Sequence, residues 1–359
     1  MQMHHIHIER HAFDIPITIG TNLWENLRAF LSEKFSTHSI FVISDLHVTQ
    51  HYKQSVKEIL GVLPQFGGHI SFPPGEKSKT RLQKALLEDE LLQRKAGRDS
   101  VIVAMGGGVT GDLAGFVAST LFRGVPLVHF PTTLMAQVDS SIGGKVGVNS
   151  NHGKNLIGAF YQPEAIFIDI SFLESLPSIE FANGMAEVIK YAITLDNELL
   201  NWLENDSEKI LNRDPEILIK IITRCVQLKS RVVQSDERES GYRSILNFGH
   251  TIGHAIEKID NYKTKHGFAV SAGMEAACKL SHKLFDFPNG NQLHNLLQIY
   301  GLNKIGIKDY EFEQIWECIL HDKKTRKKNP HFTLLNQSAK PELFVPVSKE
   351  ELKNVLFQS

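Results

Sequence analysis

Cysteine is scarce: Cys225, Cys278 and Cys318 are the only three in 359 residues, and no two are spaced as CxxC. That excludes a disulfide scaffold and a cysteine-ligated zinc ribbon, and the apolar helical context of each makes reduced, buried thiols the expectation. Net charge is almost missing too. With 39 Lys and Arg against 40 Asp and Glu, no global field draws the chain to nucleic acid or an anionic membrane, so any anion site must be local. No stretch approaches the ~18–20 apolar residues of a membrane span, and the start, MQMHHIHIERHAF, lacks the apolar region of a secretory signal; a cytoplasmic location is expected. Repeats and low-complexity segments are also lacking. What remains, 42% hydrophobic and 22% charged residues, is the composition of an ordinary folded protein. Its length suits two domains of about 150–200 residues each.

The first half alternates short apolar runs with helical patterns. SIFVISD (39–45), SVIVAMGGG (100–108), VPLVHFPTT (125–133) and AIFIDI (165–170) are separated by segments such as TRLQKALLEDELLQR, the signature of a parallel sheet covered by helices. At the start, His4, His5, His7 and His11 surround Ile6 and Ile8 in an alternation that predicts a first strand rather than a metal cluster. Beyond about residue 177 the pattern is mainly helical, as in DPEILIKIITRCVQLKSRVV, where Pro215 suits a first turn. The expected architecture is an α/β nucleotide-binding domain over 1–177 and a mainly α-helical domain over 178–359, with a cleft between them.

Three segments carry chemistry. MGGGVTGD (105–112) follows a strong strand and opens a helix, and Gly106, Gly108 and Gly111 satisfy GxGxxG. Backbone N–H groups and a helix N-terminus there suit a diphosphate. A tight turn would give the same pattern, and the usual acidic residue downstream is replaced by upstream candidates, Asp45 and Glu76. PTTLMAQVDSSIGGKVGVNSNHGKNLIGAFYQP (131–163) has few long apolar side chains but holds Asp139, Lys145, Asn149, Lys154 and Asn155 among glycines. That makes a poor core and a good wall for phosphate or carboxylate. In the helical half, Glu187 and Lys190 are three apart. His250 and His254 are four apart, with Arg243 and Asn247 continuing their line as on one helix face, and His266 precedes a further helix. Two or three imidazoles and a carboxylate with an open position are what a catalytic zinc requires; HExxH is excluded because Thr251 follows His250. The run DKKTRKK (322–328) reads as a solvated face or as a cover for an anionic substrate.

Taken together, GGGVTGDLAGFVAST, PTTLMAQVDSSIGGK, GKNLIGAFYQP, GMAEVIKY and DERESGYRSILNFGHTIGHAIE occur in the order found in the 3-dehydroquinate synthase family of the shikimate pathway, which the chain resembles from about Ser39 to Lys324. The resemblance implies a homodimer using NAD and one divalent metal, zinc or alternatively cobalt, on a small sugar acid phosphate. It implies Glu187, His250 and His266 as metal ligands. Around the substrate it places Lys145, Asn155, Lys190, Lys229, Arg243, Asn247, His254 and Lys323 or Lys324, with Arg123 reaching the substrate phosphate of the neighbouring subunit. Asp45, Glu76, Lys79, Gly107, Gly108, Asp112, Thr132, Thr133, Asp139 and Lys154 would contact NAD. The implied reaction oxidises C5 of a seven-carbon sugar acid phosphate transiently, eliminates phosphate, returns the hydride, opens the ring and closes it again by an aldol step. His254 suits the proton relay because imidazole titrates near neutrality.

Phe268 departs from the pattern: it stands in HGFAV where the family usually has Glu. If that carboxylate supports the metal site, its loss would cost about 10–100-fold in metal affinity or rate. Three other readings remain open: another sugar-phosphate cyclase, a metal-dependent polyol dehydrogenase, and a binding protein that keeps the fold without turnover.

Overall fold

The computed structural model describes residues 14–288, 290–320 and 330–357. The expected strand around Ile6 and Ile8, and the basic run with Lys323 and Lys324, lie outside these residues. The first half comprises β1 (Ile17–Gly20), α1 (Trp24–Lys34), β2 (Ser39–Asp45), α2 (Leu46–Ser55), β3 (Phe66–Phe72), α3 (Arg81–Gln93), β4 (Ser100–Gly106), α4 (Gly108–Thr120), β5 (Leu127–Pro131), a hairpin of β6 (Lys145–Ser150) and β7 (Gly153–Phe160), and β8 (Ala165–Asp169). Helices dominate afterwards: α5 (Phe172–Ser175), α6 (Ser178–Leu195), α7 (Asn197–Asn205), α8 (Ser207–Leu211), α9 (Pro215–Ser235), α10 (His250–Ile259), α11 (His266–Phe285), α12 (Gly290–Ile299), α13 (Phe312–Leu320), then the hairpin β9 (His331–Leu335) and β10 (Pro341–Pro346), and α14 (Lys349–Phe357).

Among the described residues, six strands form one sheet in the order β1-β8-β5-β4-β2-β3, parallel throughout. The four strands expected at 39–45, 100–108, 125–133 and 165–170 are β2, β4, β5 and β8. Each is continuously apolar because helices cover both faces: Phe41 and Ile43 of β2 pack with Leu113 and Val117 of α4, while the alternate residues Ile40 and Val42 pack with Leu27 and Leu31 of α1. β3 steps outward from β2 and the chain then returns to the other side of β2 as β4. That reversal opens a crevice at the carboxyl ends of β2 and β4, where open α/β sheets bind ligands.

The helical half has its own apolar cluster, built on α6, α9, α10 and α11 and reaching Ile166 and Ile168 of β8. Asp214 caps α9 by accepting from Glu216 N at 3.1 Å and Ile217 N at 3.2 Å, with Pro215 in the first turn as its sequence predicts. The line Arg243, Asn247, His250, His254 is not on one helix. Residues Tyr242–Asn247 form a separate tight turn, and α10 begins at His250 because Gly249 adopts φ 79° and breaks the run. No described helix is long and apolar enough to cross a membrane.

Candidate active site

Strand ends supply one wall of a cavity of about 1300 Å³. β4 runs directly into α4, with Gly107 as the extended N-cap residue, and Gly107, Gly108, Val109 and Thr110 line the cavity. The N–H groups of a first helical turn lack intrahelical partners and carry partial positive charge, so this is an anion cradle. Thr132 and Thr133 follow β5 into the same wall; Thr132 N donates to Gly106 O at 3.0 Å, locking the two strand ends together. Asp45 also lines the cavity, and its Oδ1 caps α2 by accepting from His47 N at 2.8 Å and Val48 N at 3.1 Å. Glu76 accepts from Asn149 Nδ2 at 2.7 Å. Lys79, buried, donates to both Asp112 and Asn155; burial raises the Asp112 carboxyl pKa against the pull of Lys79.

The β6–β7 hairpin carries the lysine-rich wall. Lys145 pairs with Glu239, which also accepts from Asn247 Nδ2 at 2.7 Å. Lys154 turns toward the helical half: its Nζ is 2.8 Å from Glu257 and 4.7 Å from the Tyr262 ring centre. Asp139 likewise faces helical-half cations. Lys229 Nζ lies 2.8 Å from its Oδ1 and donates to its carbonyl oxygen at 2.5 Å, and the Tyr191 hydroxyl donates to the same Oδ1. Burial would raise the Asp139 carboxyl, but Lys229 and Lys190 hold it well below the ordinary range. Burial brings Lys229 down to about 8, against the opposing charge of Asp139. Arg243 is buried and donates to Glu237 O at 2.5 Å, with Gly143 O at 3.4–3.5 Å.

Three helices meet at the metal-type cluster because glycine lets their backbones touch. A Cβ on Gly273 of α11 would sit 1.9 Å from Gly249 O beside α10, and one on Gly267 would sit 2.1 Å from Asn183 O of α6. These approaches bring Glu187 (α6), His250 (α10) and His266 (α11) together, their ligand atoms all within 4.8 Å of one another. Glu187 Oε1 is 3.6 Å from His250 Nε2 and 3.4 Å from His266 Nε2; it is buried and has no hydrogen-bond partner among the described residues. The other carboxylate oxygen accepts from Lys190. His250 Nδ1 lies 3.1 Å from Phe248 O, and His266 Nδ1 3.3 Å from Glu257 Oε2, so each imidazole turns Nε2 toward Glu187. An orphaned buried carboxylate oxygen facing two such nitrogens is the donor set of a divalent cation, and the residues fit one. The glycine cradle fits the diphosphate of a dinucleotide.

Of the described residues that the resemblance implies for metal, substrate or nucleotide, all line this cavity except Glu187 and Arg123, while Asn149, Gly106 and Gly111 lie outside its lining. Arg123 is exposed, in the turn after α4. Cys318 is only partly buried and lines the cavity, against the expectation of a buried thiol, whereas Cys225 and Cys278 are buried. Phe268 is 4% exposed and packs in the apolar core. Three residues were not anticipated: Glu239, Tyr191 and Glu257. Glu257 had a signal, since it follows His250 by seven and His254 by three on one helix face. Glu239 lies in the polar run DERES, where nothing distinguishes one carboxylate from the next.

Family models and curated relatives agree on one family. The family model described as 3-dehydroquinate synthase N-terminal matches residues 69–183, and its C-terminal counterpart matches residues 184–325. The 3-dehydroquinate synthase of Desulforamulus reducens is 39% identical over 346 residues, covering 96% of each chain; that of Syntrophotalea carbinolica is 42% identical over 316 residues, 87% of each. Among solved structures, a 2-deoxy-scyllo-inosose synthase complexed with carbaglucose-6-phosphate, NAD+ and Co2+ superposes with TM-score 0.87 at 29% identity over 96% of each chain. With its parallel six-stranded sheet, its helical second half and this extent of identity, the chain belongs to the 3-dehydroquinate synthase family.

Proposed function

We propose that this protein converts 3-deoxy-arabino-heptulosonate 7-phosphate into 3-dehydroquinate and phosphate, as a cytoplasmic homodimer that uses NAD and one divalent metal ion, zinc or cobalt. The observation that carries this reading is the single cavity in which a glycine-turn anion cradle, a wall of lysines and a Glu–His–His cluster face one another. A dehydrogenase needs the cradle and the metal set; the lysine wall suits a substrate bearing both a carboxylate and a phosphate. The 2-deoxy-scyllo-inosose synthase structure, with NAD+ and Co2+ bound, supports the same pair of cofactors.

The geometry supports a division of labour between the two halves. Residues 1–177 hold the nucleotide: Gly107 and Gly108 receive its diphosphate, Asp45 offers its uncommitted oxygen to a ribose hydroxyl, and Glu76, Lys79, Asp112, Thr132, Thr133, Asp139 and Lys154 complete the wall. Residues 178–359 bring Glu187, His250 and His266 as metal ligands. A cation held there would supply Lewis-acid polarisation of substrate oxygens, worth several kcal/mol, and a nucleotide on the opposite wall would supply a reversible hydride acceptor. Lys145, Asn155, Lys190, Lys229, Arg243 and Asn247 bind the substrate's anionic and hydroxyl groups in the reactive pose, and Glu239 fixes the first and last of these through its contacts with Lys145 and Asn247. His254 moves protons in the cavity. Arg123, outside the cavity of its own chain, serves the neighbouring subunit's phosphate, and Lys323 or Lys324 closes over the substrate.

The test incubates purified protein with NAD, zinc and the heptulosonate phosphate while following phosphate, dehydroquinate and NADH. Both products with no net NADH are expected. Accumulating NADH would overturn the reading in favour of a dehydrogenase, and metal-loaded protein that releases no phosphate would overturn the substrate assignment.

A further inference from the structure

Glu257 sits in α10 seven residues after His250 and three after His254, so all three side chains share the face turned to the cavity. Its side chain is only 1% exposed, and a carboxylate taken out of water is retained only when its charge and lone pairs are matched. Both oxygens are matched, on different sides. Oε1 is 2.8 Å from Lys154 Nζ of the β6–β7 hairpin, and Oε2 is 3.3 Å from Nδ1 of His266 at the start of α11. Lys154 in turn lies 3.7 Å from Glu76.

We infer that Glu257 is a positioning residue, one that holds the Nδ1 proton of His266 so that Nε2 presents its lone pair to the cation, and that anchors this ligand to the nucleotide-side wall through Lys154. The inference rests on the assignment of Glu187, His250 and His266 as ligands. An ionised carboxylate only accepts hydrogen bonds, so a neutral imidazole facing it, the form that ligates a cation, carries hydrogen on the near nitrogen and leaves the far one bare. Here the far nitrogen is the one 3.4 Å from Glu187 Oε1. Such outer carboxylates contribute about 10–100-fold to metal affinity. Two residues beyond His266, the Phe268 ring is buried in the apolar core, and the carboxylate that reaches His266 is Glu257 of the neighbouring helix. His254, Glu257 and His266 also lie close enough to hold a cation themselves, an arrangement that would displace the Glu257–His266 hydrogen bond.

The experiment titrates metal-stripped full-length protein, without nucleotide, with Zn2+ against a chromophoric chelator, and records the visible absorption of the Co2+ form. Wild type should bind one ion. Glu257→Ala should weaken Zn2+ by about 10–100-fold and alter the Co2+ spectrum. Glu257→Gln, whose amide oxygen still accepts from Nδ1, should fall between, and it carries the test if the alanine variant does not fold. Lys154→Met, which leaves the His266 hydrogen bond in place, should weaken Zn2+ far less than Glu257→Ala. Unchanged affinity and spectrum in both Glu257 variants, or equal losses in Lys154→Met and Glu257→Ala, would overturn the inference. So would two ions in wild type falling to one in Glu257→Ala, which would make Glu257 a ligand. Failure of wild type to bind any ion would overturn the ligand assignment itself.

Discussion

The two halves handle charge in opposite ways. In the sheet half the central strands β4, β5 and β8 are buried at every position. Its buried Asp169 closes a strand, where its oxygens accept from the backbone N–H groups of Asn22, Leu23 and Ser171 at 2.8–3.0 Å. The helical half buries charge inside its helices. Glu187 and Lys190 are 1% and 2% exposed in the middle of α6, and Lys229 of α9 and Glu257 of α10 are buried as well. A dinucleotide diphosphate can be held by backbone N–H groups at a strand-to-helix turn, which requires no buried side-chain charge. A cation and a substrate with two anionic groups need ionised side chains away from bulk water, and each must be balanced by another: Glu187 by Lys190, Asp139 by Lys229, Glu257 by Lys154.

If the helical half's charge serves a metal ion, removing one ligand should have the largest effect of any single change. His250→Ala is expected to lose bound zinc and turnover together, with the rate down by at least about 10³-fold, equivalent to about 4 kcal/mol of lost transition-state stabilisation. Metal content by atomic absorption beside a phosphate-release assay checks this; stoichiometric zinc in the variant would remove His250 from the ligand set. The glycine contacts sharpen the comparison next. In Gly273→Ala the new methyl would lie 1.9 Å from a backbone oxygen that cannot rotate away, so α10 and α11 must separate. Overpacking of this kind costs about 1–3 kcal/mol, read as a lower urea midpoint, and metal affinity should fall with it. Full affinity in a destabilised variant would show that helix spacing does not set the ligand geometry.

How much of this was legible in the sequence also divides along the two halves. Continuous apolar runs disclosed β2, β4, β5 and β8, since strands buried on both faces have no competing pattern. β1 is four residues long and β3 is interrupted by Gly67 and Gly68, so neither had enough apolar residues to stand out. The β6–β7 hairpin was read as a ligand wall rather than as strands because its glycines and lysines carry no alternation. In the helical half the proposed metal cluster followed from residue type and family motif, but the pairing of buried charges did not. Sequence spacing places Glu257 beside His254 and gives no hint that Lys154, 103 residues earlier, meets it. The supposed continuous helix from Arg243 to His254 failed for a local reason, the left-handed Gly249, which helical periodicity does not register.

Lys229 tests whether the buried ammonium groups act as charges. Burial brings it to about 8, so the free enzyme loses this positive charge as pH rises through that value. If Lys229 binds a substrate anion, kcat/KM should fall on the alkaline side with a break near 8. Lys229→Met should lower kcat/KM by about 10–100-fold, the worth of one charge-assisted hydrogen bond, and should abolish the break. A break that survives in the variant would assign the titration to another group.

The sheet half offers the opposite case, a titratable group buried with no ionic partner among the described residues. His129 of β5 is 4% exposed, and burial alone lowers its pKa to about 4 from an ordinary 6.5. The folded pKa is depressed, so the unfolded chain takes up a proton between those two values that the folded chain refuses. The stability this contributes is complete above pH 6.5 and is lost as pH falls toward 4, by roughly 3 kcal/mol in all. Urea unfolding of wild type and His129→Gln between pH 4 and 7 isolates the contribution, because the amide does not titrate. The variant should lose less stability on acidification than wild type by about that amount. Parallel curves would mean that His129 is protonated in the folded sheet, and the contrast between strand interiors without charge and helices that bury paired charge would no longer hold.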